Sequence, residues 1–133
     1  MSGYAGTEDK DLSEGSPNLA VDNYPDMYIK ATGGPGNHGL LMFSNLVGVG
    51  ANQIPTGSII NSVSLKLNVL QASSNTIEVH RQLLSWGSAT TWNSAGAGIQ
   101  INDVEAVLAS DASFVGSSTG VVKIGRASCR ERV

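Results

Sequence analysis

Apolar and polar side chains alternate from Ser62 to Val69 in the stretch Ser62-Val63-Ser64-Leu65-Lys66-Leu67-Asn68-Val69-Leu70. Successive side chains of an extended chain point to opposite faces of a sheet, so a period of two separates the stretch into two faces. The apolar face comprises Val63, Leu65, Leu67 and Val69, and the polar face comprises Ser62, Ser64, Lys66 and Asn68. This pattern predicts a strand of an antiparallel sheet with one face packed and one face in water.

The same period continues after the turn signal at residues 72–75. Alternation over residues 76–83 places Ile77, Val79 and Leu83 on one face and Glu78, His80 and Gln82 on the other. The two stretches together predict a β-hairpin. Arg81 falls on the apolar face by this alternation, so we expect its substitution to impair folding before binding.

The remaining elements predict an all-β chain. Further strands are expected at residues 9–14, 27–31, 39–43 and 121–124. One short helix is expected at residues 103–109, where Asn102 would cap the first turn and Val104, Val107 and Leu108 would share a face. Strands about every ten residues, with a single minor helix, favour one antiparallel β-sandwich of jelly-roll type.

Composition excludes several classes of function. The chain has 133 residues and a formal net charge of −3, so it lacks the basic footprint of a nucleic-acid-binding protein. No apolar stretch approaches the roughly 20 residues that a membrane span requires. Residues 1–10 carry no export signal, and the single cysteine, Cys129, excludes an intramolecular disulfide.

The last eight residues differ in texture from the body. They contain three arginines and the only cysteine, after a body rich in serine, asparagine and glycine. We therefore predict two parts: a β-sandwich module at residues 1–125 and a non-native tail at residues 126–133, with a basic functional tail as the alternative.

A set of short motifs occurs in a definite order. They are Asp9-Lys10-Asp11-Leu12-Ser13-Glu14, Leu40-Leu41-Met42-Phe43, Gln53-Ile54-Pro55-Thr56-Gly57-Ser58-Ile59-Ile60, Val79-His80-Arg81 and Thr91-Trp92-Asn93. The ordered set resembles the DNRLRE domain over residues 3–124. Asp11, Ser13 and Met42 stand where that family has arginines. The family also continues with further strands beyond Ile124, so the resemblance implies a sandwich incomplete at its C-terminus.

The resemblance implies a non-catalytic accessory module of a longer secreted bacterial or archaeal protein. Such domains are similar to carbohydrate-binding modules, and some bind an acidic polysaccharide such as alginate. Polysaccharide and neighbouring domains of the parent chain are then the expected partners, and the location is extracellular. A purely structural or adhesive spacer and a part of a polysaccharide-degrading enzyme are the alternatives.

The candidate ligand-binding residues lie on the predicted polar face of the hairpin and just after it. They are Lys66, Asn68, Glu78, His80, Gln82 and Trp86. Polar side chains can hydrogen-bond sugar hydroxyls, Lys66 and His80 would attract a uronate, and an indole offers a flat partner for a pyranose. The opposing hypothesis is a solvated outer face, with Trp86 and Trp92 buried to fix a loop.

No residue pattern identifies a catalytic centre. His80 lacks a nucleophile partner and has no metal-ligand spacing to His38. Carboxylates concentrate near the N-terminus at Asp9, Asp11, Glu14, Asp22 and Asp26. Their spacing matches no EF-hand loop, so we expect no cofactor, with a structural calcium ion as the alternative to simple solvated charge.

Overall fold

The computed structural model describes residues 4–20, 25–30, 33–125 and 131–132. Its regular elements are the antiparallel strands β1 (Thr7–Ser13), β2 (Asn37–Phe43), β3 (Ile59–Ile60), β4 (Leu65–Val69), β5 (Thr76–Val79), β6 (Ala112–Val115), β7 (Gly120–Ile124) and β8 (Glu131–Arg132). The described residues contain no helix. The predicted all-β class is therefore confirmed, and no described segment has the length and apolar character of a membrane-spanning helix.

Strands β1 and β2 form one two-stranded sheet. Thr7 lies opposite Phe43 at one end and Ser13 opposite Asn37 at the other. Leu12 and Leu40 are buried on one face of this sheet. Lys10 is buried beside them at 1% exposure, and its Nζ donates a hydrogen bond to the Ser88 carbonyl oxygen at 2.7 Å. Lysine is a polar residue, but Lys10 belongs to the core because its ammonium group is hydrogen-bonded there.

The other strands pair in a nested order. Strand β5 pairs with β6, β4 with β7, and β3 with β8, so that each later partner lies further along the chain. Thr76 lies opposite Val115, Leu65 opposite Ile124, and Ile59 opposite Arg132. We call this succession of pairs the nested ribbon.

The predicted hairpin between residues 62–70 and 76–83 is wrong. Strand β4 pairs with β7 and β5 pairs with β6, although β4 and β5 follow each other along the chain. The turn at residues 72–75 is instead held to the opposite turn, because the Ser73 N–H donates to the Gly116 carbonyl oxygen at 2.7 Å. This hydrogen bond between two facing turns links the β4–β7 pair to the β5–β6 pair within the nested ribbon.

The predicted helix at residues 103–109 is also wrong. Asn102 Oδ1 accepts hydrogen bonds from the N–H groups of Val104 and Glu105, as a helix cap would. Asp103, however, adopts a left-handed backbone with φ of 60°, and its N–H donates to the Ala106 carbonyl oxygen. A residue in that conformation ends a helix at its first turn, so the capping pattern closes a turn and not a helix.

The predicted strand at residues 27–31 is reduced to a single bridge among the described residues, between Lys30 and Asn37. Residue 31 lies outside the described residues. Part of the predicted tail, residues 126–130 and Val133, also lies outside them. Glu131 and Arg132 form β8, which pairs with β3.

The long connection between β5 and β6 packs against the β1–β2 sheet and so holds that sheet to the nested ribbon. The Asn93 N–H donates to the Pro17 carbonyl oxygen at 2.9 Å, and the Ile99 N–H donates to His38 Nδ1 at 3.1 Å. The connection lies between Gln82 and Ala106, which pair as a bridge at the end of the ribbon. The buried apolar side chains of the described residues are few, namely Leu12, Leu40, Ala106 and Ile124.

Candidate functional site

The β4–β7 pair separates its side chains into two faces, as its alternation predicts. Leu65 and Leu67 are half-buried on one face, and Ile124, opposite Leu65, is fully buried. Lys66 and Asn68 are exposed on the other face. The prediction of a half-buried strand is confirmed over Leu65–Val69, whereas Val63 is 59% exposed and lies outside the strand.

The register places two lysines side by side on the exposed face. Lys66 lies directly opposite Lys123, and Asn68 lies directly opposite Val121. Side chains opposite each other in an antiparallel pair have Cβ atoms about 5 Å apart, and like charges at that separation repel. Neither lysine forms an ion pair with any other residue that the structure describes. We call Lys66, Asn68 and Lys123 the lysine strip.

The lysine strip has the chemistry of an anion-binding surface. Two ammonium groups supply six donors, which suit carboxylate oxygens, and the Asn68 amide can both donate to and accept from a hydroxyl group. An anion between the two ammonium groups would offset their mutual repulsion. Lys123 was not among the predicted site residues, although Val122-Lys123-Ile124 repeats the apolar-polar-apolar pattern of Leu65-Lys66-Leu67.

His80 and Glu78 do not belong to this face. Strand β5 pairs with β6, where Glu78 lies opposite Ser113, and β4 pairs with β7. Lys66 is on β4 and His80 directly follows β5, and these two strands are not paired with each other. The His80 side chain is only 13% exposed. Its Nδ1 lies 2.9 Å from the Val107 carbonyl oxygen, and its Nε2 lies 3.5 Å from Glu78 Oε2. A carbonyl oxygen only accepts, so Nδ1 carries a hydrogen atom and His80 holds a loop in place.

The expected alternation also fails after Val79, because the register changes there. Val79 lies opposite Ala112, and an unbroken ladder would bring Gln82 opposite Ala109, but Gln82 lies opposite Ala106. Gln82 is half-buried. In place of the predicted polar outer face at Glu78, His80 and Gln82, only Glu78 is exposed.

Arg81 and Leu83 show the same change. Both were expected on the apolar face, and both are exposed, Leu83 at 48%. The backbone of Arg81 is held, since its carbonyl oxygen accepts from the Val107 N–H at 3.0 Å. The expectation that the Arg81 side chain matters for folding is therefore not supported by its position.

Trp92 has a structural position. Its ring lies 4.8 Å from the His38 ring, at an interplanar angle of 49°. Gly36 and Gly98 approach the edge of the indole closely enough that a Cβ on either would contact it. Trp92 thus fixes the long connection to β2, as the structural hypothesis predicts. Trp86 is half-buried in the same connection and lies outside the strands.

His38 is held in its neutral form by this packing. Burial lowers the pKa of His38, and the nearby Glu14 carboxylate opposes that shift. The Ile99 N–H donates to Nδ1, so a neutral ring carries its hydrogen on Nε2. His38 therefore supports the fold and gives no sign of an acid–base role.

The described acidic residues near the N-terminus do not converge. Asp11 accepts from the Tyr28 N–H at 3.0 Å, and Glu14 accepts from the Gly36 N–H at 2.7 Å. Burial raises the pKa of Asp11, the Tyr28 hydrogen bond opposes this, and Asp9 adds to it. Among the described residues, no three His, Cys, Asp or Glu side chains are grouped as metal ligands, and Asp22 lies outside those residues.

A shallow cavity of about 280 Å³ lies between residues 4–6 and the loop after β2. The Gln53 amide is already engaged: Gln53 Oε1 accepts from the Gly50 N–H at 2.7 Å, and Gln53 Nε2 donates to the Asn45 carbonyl oxygen at 2.8 Å. The Tyr4 hydroxyl donates to the Ser44 carbonyl oxygen. Because these polar groups bind one another, the lysine strip is the better candidate for a ligand site.

Comparisons place no known protein beside this chain. No protein-family model, no curated protein and no solved structure matches it. The assignment of a function therefore depends on the geometry described above.

Proposed function

We propose that the chain is a non-catalytic module that binds an acidic polysaccharide through Lys66, Asn68 and Lys123. The observation that carries this proposal is the register of β4 and β7, which sets Lys66 opposite Lys123 on an exposed face. A polyuronate presents a carboxylate on each sugar and hydroxyl groups between them, so one chain can engage both ammonium groups and the Asn68 amide.

The wider setting follows from the sequence resemblance and remains part of the proposal. The module would belong to a longer secreted chain, next to catalytic or adhesive domains, and the nested ribbon would form one part of a jelly-roll sandwich. The chain has a net charge of −3, so the molecule as a whole does not attract anions. An anion would therefore bind only where lysines are locally concentrated, as they are in the lysine strip.

The experiment measures binding of alginate and of dextran, a neutral glucan, to the wild-type chain and to variants. We expect alginate to bind and dextran not to bind. Lys66→Gln and Lys123→Gln should each weaken alginate binding about 2- to 5-fold, the range expected for one solvent-exposed charge pair. The double variant should weaken it about 10-fold, and salt should weaken binding to the wild type.

Lys30→Gln is the matched control, because it removes one positive charge from a residue outside the lysine strip. Its affinity for alginate should equal that of the wild type. Equal weakening by Lys30→Gln would show that only net charge matters and would contradict the proposed site. Absence of binding to any charged polysaccharide would favour the alternative function of a structural spacer, in which the exposed lysines only discourage pairing of strand edges.

A further inference from the structure

A valine shares the exposed face of the lysine strip. Asn68 lies directly opposite Val121, in the cross-strand pair next to the two lysines on that face. Along β7, Val121 and Lys123 are exposed, whereas Val122 between them is half-buried. Side chains two positions apart point to the same face, so Val121 lies on the lysine face, about 7 Å along the strand from Lys123. Val121 is 70% exposed.

A second exposed apolar side chain follows the end of β4. Half-buried and exposed residues alternate from Leu65 to Leu70, and Leu70 is 58% exposed. Leu70 comes two positions after Asn68, so the alternation gives it the same side of the ribbon as Asn68 and Lys66. We call Val121 and Leu70 the apolar margin of the lysine strip.

The exposed face therefore presents three kinds of chemistry in order: ammonium groups, then an amide, then an apolar surface. The ammonium groups attract an anion, and the Asn68 amide can bind a hydroxyl group. The side chains of the apolar margin form no hydrogen bonds, so they favour an apolar surface of a ligand. Neither β4 nor β7 contains an aromatic residue. The apolar margin is therefore the apolar part of this site.

A uronate ring carries the complementary groups close together. Its carboxylate is an anion, its hydroxyl groups lie around the rim, and its C–H groups make the faces of the ring apolar. A carboxylate between Lys66 and Lys123 would bring the ring over the next cross-strand pair, where hydroxyl groups meet Asn68 and C–H groups meet Val121. A polyanion without rings can engage the two lysines but has no such apolar face for the margin.

We propose that the apolar margin packs against the C–H face of a uronate ring and makes the lysine strip selective for polyuronates over polyanions that lack sugar rings. Val121 is then a specificity-determining residue, because burial of its exposed side chain adds affinity that a polyanion without rings does not gain. This inference rests on the proposed function, since it concerns the same site.

Calorimetric titration with alginate and with poly-L-glutamate, a carboxylate polymer without sugar rings, tests the proposal at one salt concentration. We expect the wild type to bind alginate more tightly. Val121→Ala should weaken alginate binding about 3- to 10-fold and leave poly-L-glutamate binding unchanged. Lys123→Gln should weaken the binding of both polymers. Val104→Ala is the matched control, since Val104 is a 65% exposed valine outside the margin, and it should change neither affinity.

Far-UV circular dichroism accompanies each variant, so a loss of affinity can be separated from a loss of the fold. Val121→Thr keeps a β-branched side chain suited to a strand and should also weaken alginate binding. Alginate binding that survives both Val121→Ala and Leu70→Ala overturns the selectivity and leaves the proposed function standing, as does equal affinity of the wild type for the two polymers. Absence of alginate binding to the wild type instead overturns the proposed function, and the selectivity falls with it.

Discussion

Individual residues of this chain depart from the roles that their type suggests. Lys10 is buried with its ammonium group on a carbonyl oxygen, whereas the apolar residues Leu84 and Val104 are exposed. His80, a candidate sugar contact in the sequence, instead holds the loop at Val107, and Trp92 packs on His38 of β2. Residue type alone could not reveal these positions. The positions of Lys10, His80 and Trp92 depend on partners more than 20 positions away in the sequence, and Leu84 and Val104 are exposed because no described residue covers them.

The neutral state of His38 predicts a dependence of stability on pH. Its pKa is lowered in the folded protein, so the unfolded chain binds the proton more readily. The stabilisation is complete above the ordinary pKa of about 6.5 and is lost as the pH falls below it towards the lowered value, by at most about 1.4 kcal/mol per pH unit. Urea unfolding at about pH 7.5 and about pH 5.5 measures the effect.

His38→Asn isolates the contribution of that ring. Asn can place Oδ1 near the position of Nδ1 and accept from the Ile99 N–H, but it does not titrate. The variant should lose the part of the acid-induced destabilisation that His38 causes. His80→Asn is the matched control and should keep it, because His38 is still present. The raised pKa of Asp11 has the opposite sign, since stability falls as the pH rises from about 3.8 towards the raised value, and both variants retain it. An unchanged pH dependence in His38→Asn would contradict the role assigned to His38.

Several strands can be predicted from the local sequence pattern alone. The strands predicted at residues 39–43 and 121–124 are present, and the strand predicted over residues 62–70 is present over Leu65–Val69, because alternation and apolar content act within a few residues. Strand β6 was missed, since Ala112-Ser113-Phe114-Val115 is short and follows a segment with a false helix signal. The pairing of β4 with β7 could not be predicted, because alternation defines a face but names no partner.

At the β1–β2 sheet, Gly6 provides a test of close backbone packing. A Cβ on Gly6 would collide with the Ser44 carbonyl oxygen, and the Gly6 carbonyl oxygen accepts from the Ser44 N–H at 2.8 Å. Gly6→Ala must push the two strand ends apart, so we expect it to reduce the free energy of unfolding by about 1–3 kcal/mol. Urea unfolding measures this change.

Gly87→Ala is the control for that substitution. A Cβ on Gly87 would meet no atom within 4 Å. The control should change the free energy of unfolding by no more than about 0.5 kcal/mol in either direction. Equal stability of Gly6→Ala and Gly87→Ala would show that the ends of β1 and β2 do not need their close approach.

At the scale of the whole molecule, two sheet units depend on one connection. Among the described strands, neither β1 nor β2 contacts a strand of the nested ribbon. The units are joined through Lys10 and Ser88, Pro17 and Asn93, and His38 with Ile99 and Trp92. The all-β class could be predicted from composition and alternation, but this division could not, because it arises from contacts of a loop that lacks periodicity.

The nested order of the strands has a consequence for how the chain reaches its native state. Gln82 and Ala106 close the shortest loop of the ribbon, while Leu65 must find Ile124 and Ile59 must find Arg132. Closing a short loop costs less entropy, and each inner pair shortens the loop that the next pair must close. We expect the ribbon to zip outwards from its inner end, with amides of β5 and β6 protected before those of β4 and β7 in pulsed hydrogen exchange. Protection in the reverse order would refute this route. During synthesis on the ribosome, β4 would then remain unpaired until β7 has emerged. In that interval β4 could associate with the wrong strand.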